Sequence, residues 1–297
     1  MSLKLTLGTA QFGLEYGINN NTGKPVLNKS IEMLEYAYLN GIKSIDTAAA
    51  YGNSEFVIGK WIESCKPQSL YITSKIPSIY NSNVLKNEVW EYVEKQVYSS
   101  LDKLRVNKLD NVMLHDYEDL VHYGEIIPLI LIKLKDKGYT KNIGYSIYNL
   151  ESIDILSKYN FDTIQFPSSI FNQSILESDK LINLKKKNVK TFVRSAFVQG
   201  LIFINPDKLP KELYGIKKYI IELNKLANDY NLTIREIAMN YLMHHENVDS
   251  IVFGVDNIDQ LTEIIDIKKN NSIDKEIIKN KFLNIPKELV DPRSWRF

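Results

Sequence analysis

The chain has 297 residues, long enough to bury a large core without a disulfide framework or a structural metal. Lys and Arg total 37 against 36 Asp and Glu, and this balance excludes the strongly basic surface typical of nucleic-acid-binding proteins. Cys65 is the only cysteine and no apolar run approaches the roughly 20 residues that cross a bilayer, so we expect a cytoplasmic protein without a metal site or a nucleic-acid or membrane partner.

Short apolar runs alternate along the chain with helical segments. The runs that predict buried strands are Leu5–Gly8, Lys43–Asp46, Leu70–Ser74, Asn111–Leu114, Asn142–Tyr145, Thr163–Phe166, Thr191–Arg194 and Ser250–Phe253. Apolar residues at helical spacing predict helices over Ile31–Tyr38, Val89–Leu104, Ile126–Lys137, Ile153–Lys158, Leu176–Asn188, Ile216–Tyr230 and Ile234–Met243. Gly41 and Gly138 stand just beyond two of these segments, where glycine commonly ends a helix.

This alternation favours an α/β fold, a (β/α)8 TIM barrel of eight parallel strands with outer helices and a C-terminal tail. We expect residues 1–297 to form a single barrel domain. The competing architecture is a doubly wound open sheet, whose dinucleotide-binding form has a GxGxxG turn after the first strand. Here the first strand is followed by Gly8-Thr-Ala-Gln-Phe-Gly13, which lacks that triplet.

Four polar side chains follow the second, third and fourth predicted strands: Asp46, Tyr51, Lys75 and His115. Active-site residues of such a barrel lie at the carboxyl ends of its strands. A tyrosine is a weak acid at neutral pH, and a nearby ammonium lowers its pKa while a carboxylate keeps that ammonium charged. The set therefore predicts that Tyr51 protonates a carbonyl oxygen, which His115 also contacts, while a hydride is delivered to the carbon.

Each of these residues alone has an ordinary explanation, such as a turn for Asp46 or packing for one of 18 tyrosines. Only their combination at neighbouring strand ends favours catalysis. A Schiff-base aldolase that uses Lys75 is another possible barrel enzyme. A lysine paired with a carboxylate stays charged, however, and this disfavours its use as an amine nucleophile.

The segment Ile45-Asp46-Thr47-Ala-Ala-Ala-Tyr51-Gly52-Asn53-Ser54-Glu55 resembles the Asp-Thr-Ala…Tyr-Gly signature of the aldo-keto reductase superfamily, and Lys75 and His115 match its other two catalytic positions. The resemblance covers nearly the whole chain. It implies Tyr51 as the general acid, Lys75 as the group that lowers its pKa, Asp46 as the partner of Lys75, and His115 as the group that orients the carbonyl. The implied activity is NAD(P)H-dependent reduction of an aldehyde or a ketone, and the alternative is a cofactor-binding regulatory protein with low turnover.

The resemblance also implies contacts to a nicotinamide cofactor. Ser146 and Gln165 match positions that hold the carboxamide, the loop Arg194–Leu201 matches the segment that crosses the pyrophosphate, and Phe253–Ile264 matches the segment that holds the adenosine. The implied cofactor-binding residues are Ser146, Gln165, Arg194, Ser195, Phe197, Gln199, Gly200, Gly254, Val255, Asp256, Asn257 and Gln260.

Two departures from the family pattern bear on the cofactor. Family members usually have an aromatic residue at Arg194 that stacks on the nicotinamide, and a guanidinium plane can also stack. The base that commonly binds the adenosine 2′-phosphate has no counterpart in Val255–Gln260, where Asp256 would repel that phosphate. The resemblance favours NADPH, and NADH is the alternative. A distant base such as Arg194 or Lys225 could supply the missing contact.

The substrate is a small carbonyl compound by the same resemblance. The opening segment Leu7–Ile18 is similar to a bacterial subgroup often encoded beside surface-polysaccharide genes, which implies a sugar or nucleotide-sugar carbonyl. In the family the C-terminal tail often closes over the substrate pocket. The tail Asp291–Phe297, with Trp295, could form such a lid or pack outside the barrel. We expect a monomer or a weak homo-oligomer.

Overall fold

Eight parallel strands close into a barrel in the computed structural model, which describes residues 4–20, 22–267 and 273–296. The strands are β1 (Leu5–Gly8), β2 (Ser44–Asp46), β3 (Tyr71–Ile76), β4 (Leu109–Leu114), β5 (Thr140–Ser146), β6 (Thr163–Pro167), β7 (Lys190–Arg194) and β8 (Ser250–Phe253). Each strand pairs with the next, and β8 pairs with β1. The predicted barrel is confirmed, whereas its extent as one domain over residues 1–297 stays a prediction.

Helices connect the strands on the outside of the barrel. They are α1 (Ala10–Gly13), α2 (Leu27–Leu39), α3 (Ser54–Cys65), α4 (Val89–Leu104), α5 (Glu118–Tyr123), α6 (Ile126–Asp136), α7 (Glu151–Leu156), α8 (Asp179–Lys186), α9 (Lys217–Tyr230), α10 (Ile234–Met243), α11 (Ile258–Ile265), α12 (Lys275–Phe282) and α13 (Lys287–Val290). In the described part of the chain, none of these helices combines the length and apolar character needed to cross a membrane.

The predicted element boundaries differ from the observed ones at several points. The helix expected over Leu176–Asn188 begins at Asp179, because the Ser178 side chain caps it by accepting a hydrogen bond from the Leu181 amide. The third strand does not end at Ser74 as expected, since pairing with β4 continues through Lys75 and Ile76. Helix α3 was not among the predicted helices.

The two-residue period of the strands divides the barrel interior into layers. Toward the amino-terminal end, Thr6 Oγ1 lies 2.8 Å from Ser44 Oγ and 2.6 Å from Ser250 Oγ. Met113, Phe192 and Val252 form a small buried cluster that is separate from the large core around the sheet. Two residues beyond Ser44, Thr73, Thr163 and Phe192 on the same strands come Asp46, Lys75, Gln165 and Arg194. Strand alternation alone therefore gathers polar side chains at the carboxyl-terminal mouth.

Two glycines set the position of the loop between β2 and α3. A Cβ atom on Gly13 would lie 1.7 Å from the Tyr51 carbonyl oxygen, and one on Gly52 would lie 2.4 Å from the Gly13 carbonyl oxygen. Nearby, Ser54 Oγ donates a hydrogen bond of 2.9 Å to the Thr9 carbonyl oxygen. The placement of Tyr51 thus depends on the absence of a side chain at Gly13.

Replacing Gly13 with Ala is expected to displace the Tyr51 backbone and to lower the free energy of unfolding by about 1–3 kcal/mol, the usual cost of overpacking. Urea denaturation of both proteins measures this difference. Gly41→Ala is the matched control: its φ is +88° but its Cβ would meet no atom within 4 Å, so only the left-handed backbone penalty of about 1–2 kcal/mol applies. A loss for Gly13→Ala below that for Gly41→Ala would contradict the steric argument.

Candidate active site

The four predicted catalytic side chains meet at the carboxyl-terminal mouth of the barrel. Asp46 ends β2, Lys75 lies on β3, His115 directly follows β4, and Tyr51 lies in the loop before α3. The rings of Tyr51 and His115 meet edge to face with their centroids 5.7 Å apart. Lys75 Nζ lies 5.1 Å from the centroid of the Tyr51 ring. An acid, an amine, a phenol and an imidazole thus share one small volume.

Lys75 and Asp46 form a buried ion pair. Their side chains are 1% and 3% exposed, and Nζ lies 2.5 Å from Oδ1. Lys75 Nζ also donates to the Thr47 carbonyl oxygen over 3.1 Å, and Gln165 Nε2 donates to Asp46 Oδ2 over 2.7 Å. Burial lowers the pKa of Lys75, and the Asp46 carboxylate opposes that shift. Because a neutral lysine would leave Asp46 as an unpaired buried charge, we expect the ammonium form near neutral pH.

The expectation that Lys75 lowers the pKa of Tyr51 stays a prediction. Burial and the Asp46 carboxylate raise the pKa of Tyr51, and Arg194 opposes them. The Asp46 carboxylate contributes to this rise because its negative charge disfavours a phenolate. Burial together with the charges of Lys75 and Arg194 lowers the pKa of His115 to about 3. At neutral pH the site therefore holds a protonated phenol and a neutral imidazole.

Two cavities meet at this group. The first, about 310 Å³, has a wall from β7, β8 and the β1 loop, and it includes these predicted cofactor residues: Arg194, Ser195, Phe197, Gln199, Gly200, Gly254, Val255, Asp256 and Gln260. The second, about 230 Å³, lies between His115, Tyr148 and the tail segment Val290–Arg293. Tyr16, Tyr51, Arg194, Ser195 and Gln199 line both cavities.

Three predicted cofactor residues lie outside the first cavity. Gln165 lines the second, and its Oε1 atom is buried without a hydrogen-bond partner among the described residues. Ser146 is buried at the end of β5, and Asn257 caps α11 by accepting a hydrogen bond from the Gln260 amide. Neither Ser146 nor Asn257 lines either cavity. Their contact with a cofactor stays a prediction.

The loop after β7 has a strained backbone. Ser195, Val198 and Gln199 have φ values of +64°, +48° and +54°, a region that β-branched Val198 strongly disfavours. The loop packs on the segment after β1, where the Ile18 amide donates to the Gln199 carbonyl oxygen over 3.0 Å. Both segments line the first cavity. Strain of this kind persists where surrounding contacts hold it and often accompanies ligand binding.

Arg235 is a residue of the first cavity that the motif analysis missed. It lies in the first turn of α10, its side chain is 14% exposed, and it pairs with Glu263. Its guanidinium carbon lies 4.9 Å from the centroid of the Phe203 ring, and its Nε is buried without a hydrogen-bond partner in the described structure. Its charge opposes the burial-induced rise in the pKa of Asp256. Lys225, the distant base named from sequence, does not line this cavity.

The C-terminal tail reaches the second cavity through Asp291 and Arg293. These two side chains form an ion pair in which Arg293 Nη2 lies 2.6 Å from Asp291 Oδ2. Arg293 also lies over the Tyr148 ring, 3.7 Å from its centroid, and Arg194 lies 4.3 Å from the same centroid. Trp295 packs against the main core and is not part of the cavity wall. The tail therefore borders the site by way of its arginine.

The chain matches the family model described as "Aldo/keto reductase family" over residues 4–280, and it belongs to that family. Members are NAD(P)H-dependent carbonyl reductases, so the protein is an oxidoreductase. It is 24% identical to D-arabinose 1-dehydrogenase of Saccharomyces cerevisiae, over 96% of this chain and 90% of that protein. It is 26% identical to the aldo-keto reductase YhdN of Bacillus subtilis, over 89% and 86%.

Solved structures share the same fold. The glycerol dehydrogenase AKR11B4 of Gluconobacter oxydans aligns with a TM-score of 0.72 at 23% identity, over 97% of this chain and 94% of that one. The aldo-keto reductase AKR11C1 of Bacillus halodurans, solved in a holo form, aligns with a TM-score of 0.71 at 19% identity, over 94% and 91%. At these sequence identities the structural similarity supports the barrel fold but does not indicate a substrate.

The neutrality of His115 is testable by nitrogen NMR of its ring. With a pKa of about 3, the imidazole should remain neutral throughout pH 5–8. Lys75→Met should raise the pKa of His115, because the Lys75 ammonium is one of the charges that disfavour imidazolium. The exposed substitution Lys95→Gln on α4 removes one charge elsewhere and should leave the His115 titration in place. A wild-type midpoint above about pH 6 would contradict the assignment.

Proposed function

We propose that this protein reduces an aldehyde or a ketone to the corresponding alcohol with a hydride from NAD(P)H, and that Tyr51 is the general acid. The observation that carries the proposal is the buried Lys75–Asp46 pair beside the Tyr51 ring, with His115 against the ring edge. The complete set supports turnover over the alternative of a regulatory protein that binds a cofactor with little activity. The pairing of Lys75 with Asp46 likewise disfavours a Schiff-base aldolase.

The side chains divide the work of proton transfer. Tyr51 is protonated at rest and gives its hydroxyl proton to the carbonyl oxygen as that oxygen gains charge. Neutral His115 donates a hydrogen bond to the same oxygen and orients the carbonyl group. The phenolate that remains on Tyr51 is stabilised by the ammonium of Lys75 and by Arg194, and a proton from solvent restores the phenol.

The residues present fit a nicotinamide cofactor, which when bound supplies the hydride. The buried, unpartnered Oε1 of Gln165 would accept a hydrogen bond from the carboxamide amine. The loop after β7 and the start of α11 would hold the pyrophosphate, because backbone amides at a helix N-terminus suit anions. The first cavity, with Phe197, Phe203 and Arg235 at one part of its wall, would take the adenosine.

Within this proposal NADPH is the favoured cofactor, by a modest margin. Of the two arginines that line the first cavity, Arg235 is the better candidate to bind the adenosine 2′-phosphate, since its charge acts on Asp256 in the segment predicted to hold the adenosine. Asp256 and Glu263 place two negative charges around that single guanidinium. These carboxylates weaken binding of the 2′-phosphate and therefore reduce the preference for NADPH over NADH.

We further propose a hydroxylated substrate, a sugar or a nucleotide sugar. The second cavity is lined by side chains that form hydrogen bonds, among them Tyr16, Ser168, Ser169 and Asn172. One relative supports this class by its name, D-arabinose 1-dehydrogenase. A panel of aldoses, ketoses and simple aldehydes with NADPH and NADH, assayed by absorbance of the reduced cofactor, tests both the reaction and the substrate class.

Tyr51→Phe should lower kcat by roughly 10²–10⁴-fold, since the phenol gives the proton and Phe keeps the ring. The dissociation constant of NADPH, measured by fluorescence titration, should remain within about twofold of wild type. Tyr98→Phe is the matched control, because Tyr98 is 66% exposed on the outer helix α4. Retention of more than about a tenth of wild-type kcat would remove Tyr51 from the role of general acid.

Arg235→Gln should weaken NADPH binding by roughly 10–100-fold, the worth of a charge-assisted contact of about 1.5–3 kcal/mol, with a smaller effect on NADH. Asp256→Asn should act in the opposite direction and tighten NADPH, because it removes a negative charge near the phosphate. Dissociation constants of both cofactors for the wild type and the two variants measure these effects. An equal loss for NADPH and NADH in Arg235→Gln would indicate a structural role for Arg235 instead.

A further inference from the structure

The second cavity contains two cations, Lys287 and Arg293, to which neither proton transfer nor the cofactor assigns a role. Arg194, Lys287 and Arg293 line it, and Asp291 is the only carboxylate among the described residues of its wall. His115 is neutral there because its pKa is about 3. Asp116 also acts on Arg293 from just outside the wall. Three cations therefore face two carboxylates.

Lys287 and Arg293 belong to the second cavity alone. The first cavity, which matches the cofactor segments of the family, contains neither of them. Arg194 lines both cavities and lies between the reacting side chains and the tail. The two tail cations are therefore available to a molecule that occupies the second cavity, next to Tyr51 and His115.

The Arg293 guanidinium is held in place yet keeps donors to spare. Asp291 accepts hydrogen bonds from its Nε and Nη2 atoms over 2.9 and 2.6 Å, and the Tyr148 ring packs against its plane. In the described structure, no hydrogen bond involves Arg293 Nη1. An arginine fixed in this way loses little conformational entropy when it binds an anion, and its remaining donors suit the oxygens of a carboxylate or a phosphate.

The other two cations form no ion pair with a carboxylate of the described residues, and Lys287 acts on Asp291 only over a longer distance. Arg194 is half-buried, donates to the Ile147 carbonyl oxygen over 3.2 Å, and lies against the Tyr148 ring. Lys287 is exposed at the rim and forms no ion pair with a described residue. One aromatic side chain thus lies against both guanidinium groups, and the lysine adds charge at the same opening.

We propose that the second cavity takes a carbonyl substrate that carries a carboxylate or a phosphate group, with the carbonyl at Tyr51 and the anion at Arg293 and Lys287. The inference rests on the proposed reductase function and adds the charge of the substrate to it. The tail cations bind the charged group of the substrate, and the reaction takes place at the barrel mouth. A neutral carbonyl compound of the same length lacks the anchor and is reduced less efficiently.

The test uses pairs of substrates that differ in charge. Succinic semialdehyde is compared with butanal for a carboxylate, and glyceraldehyde 3-phosphate with glyceraldehyde for a phosphate, each as kcat/KM with saturating NADPH. We expect the charged member of at least one pair to be preferred by tenfold or more at low salt, and the preferred pair tells carboxylate from phosphate. The preference should shrink as ionic strength rises, because salt screens exposed charges.

Variants of the tail test the anchor. Arg293→Gln should reduce the charged-to-neutral ratio of kcat/KM at least tenfold, because it removes the cation and leaves Asp291 facing the substrate. Lys287→Gln should reduce the ratio by a smaller factor, and Arg293→Lys should keep more of it than Arg293→Gln. Lys95→Gln is the control: it removes one positive charge on the outer helix α4, outside the second cavity, and should leave the ratio unchanged.

The ratio separates the possible failures. A general disturbance of the tail lowers both members of a pair and leaves their ratio as it was, which would overturn the anchor. Equal use of charged and neutral substrates by the wild type would overturn the anion site while leaving the reductase function in place. A wild-type protein that reduces neither these compounds nor the wider carbonyl panel would overturn the reductase function and the anion site with it.

Discussion

The buried ion pair between Lys75 and Asp46 is the interaction on which the rest of the mouth depends. Two charges so deeply buried are tolerated only when each is paired and its remaining hydrogen-bonding capacity is used. Gln165 from β6 and the Thr47 carbonyl oxygen complete that shell, so β2, β3 and β6 are held together through polar contacts inside the barrel. Loss of either partner would leave an unpaired buried charge, a penalty of roughly 3–5 kcal/mol.

The same pair acts together with burial on the charge state of its neighbours. Burial and Asp46 favour the protonated form of Tyr51, and burial, Lys75 and Arg194 favour the neutral form of His115. At rest, both groups that face a carbonyl oxygen are neutral donors, and the fixed cations lie close behind them. Negative charge that develops on the oxygen or on Tyr51 meets these cations without reorganisation of solvent, which is the physical basis of electrostatic preorganisation.

Local sequence patterns predicted the site residues that lie at strand ends. They did not predict features that depend on contacts between residues far apart in the chain. Strand alternation and strand ends were enough to place Asp46, Lys75 and His115, and the cofactor loops came from the family resemblance. The raised pKa of Tyr51 depends on its burial in the folded mouth and on the nearby Asp46 carboxylate, which sequence spacing does not encode. Arg235 escaped because α10 precedes the segment Val255–Gln260 and joins it only in the folded barrel. One feature of the sequence could have indicated Arg235. A cation in the first turn of a helix interacts unfavourably with the helix dipole, and a residue that breaks a local rule in this way often has a functional role.

Site residues on the strands and those on the connecting segments differ in how far a substitution affects the rest of the site. Asp46, Lys75 and Gln165 are locked into one polar network inside the barrel, so a substitution at any of them disturbs the other two. Arg235 and Arg293 lie on α10 and on the tail, where each is held by one carboxylate and one or two aromatic rings. A change at either arginine leaves the central ion pair intact. Cofactor and substrate recognition can therefore vary on this barrel while the groups proposed to move the proton stay fixed.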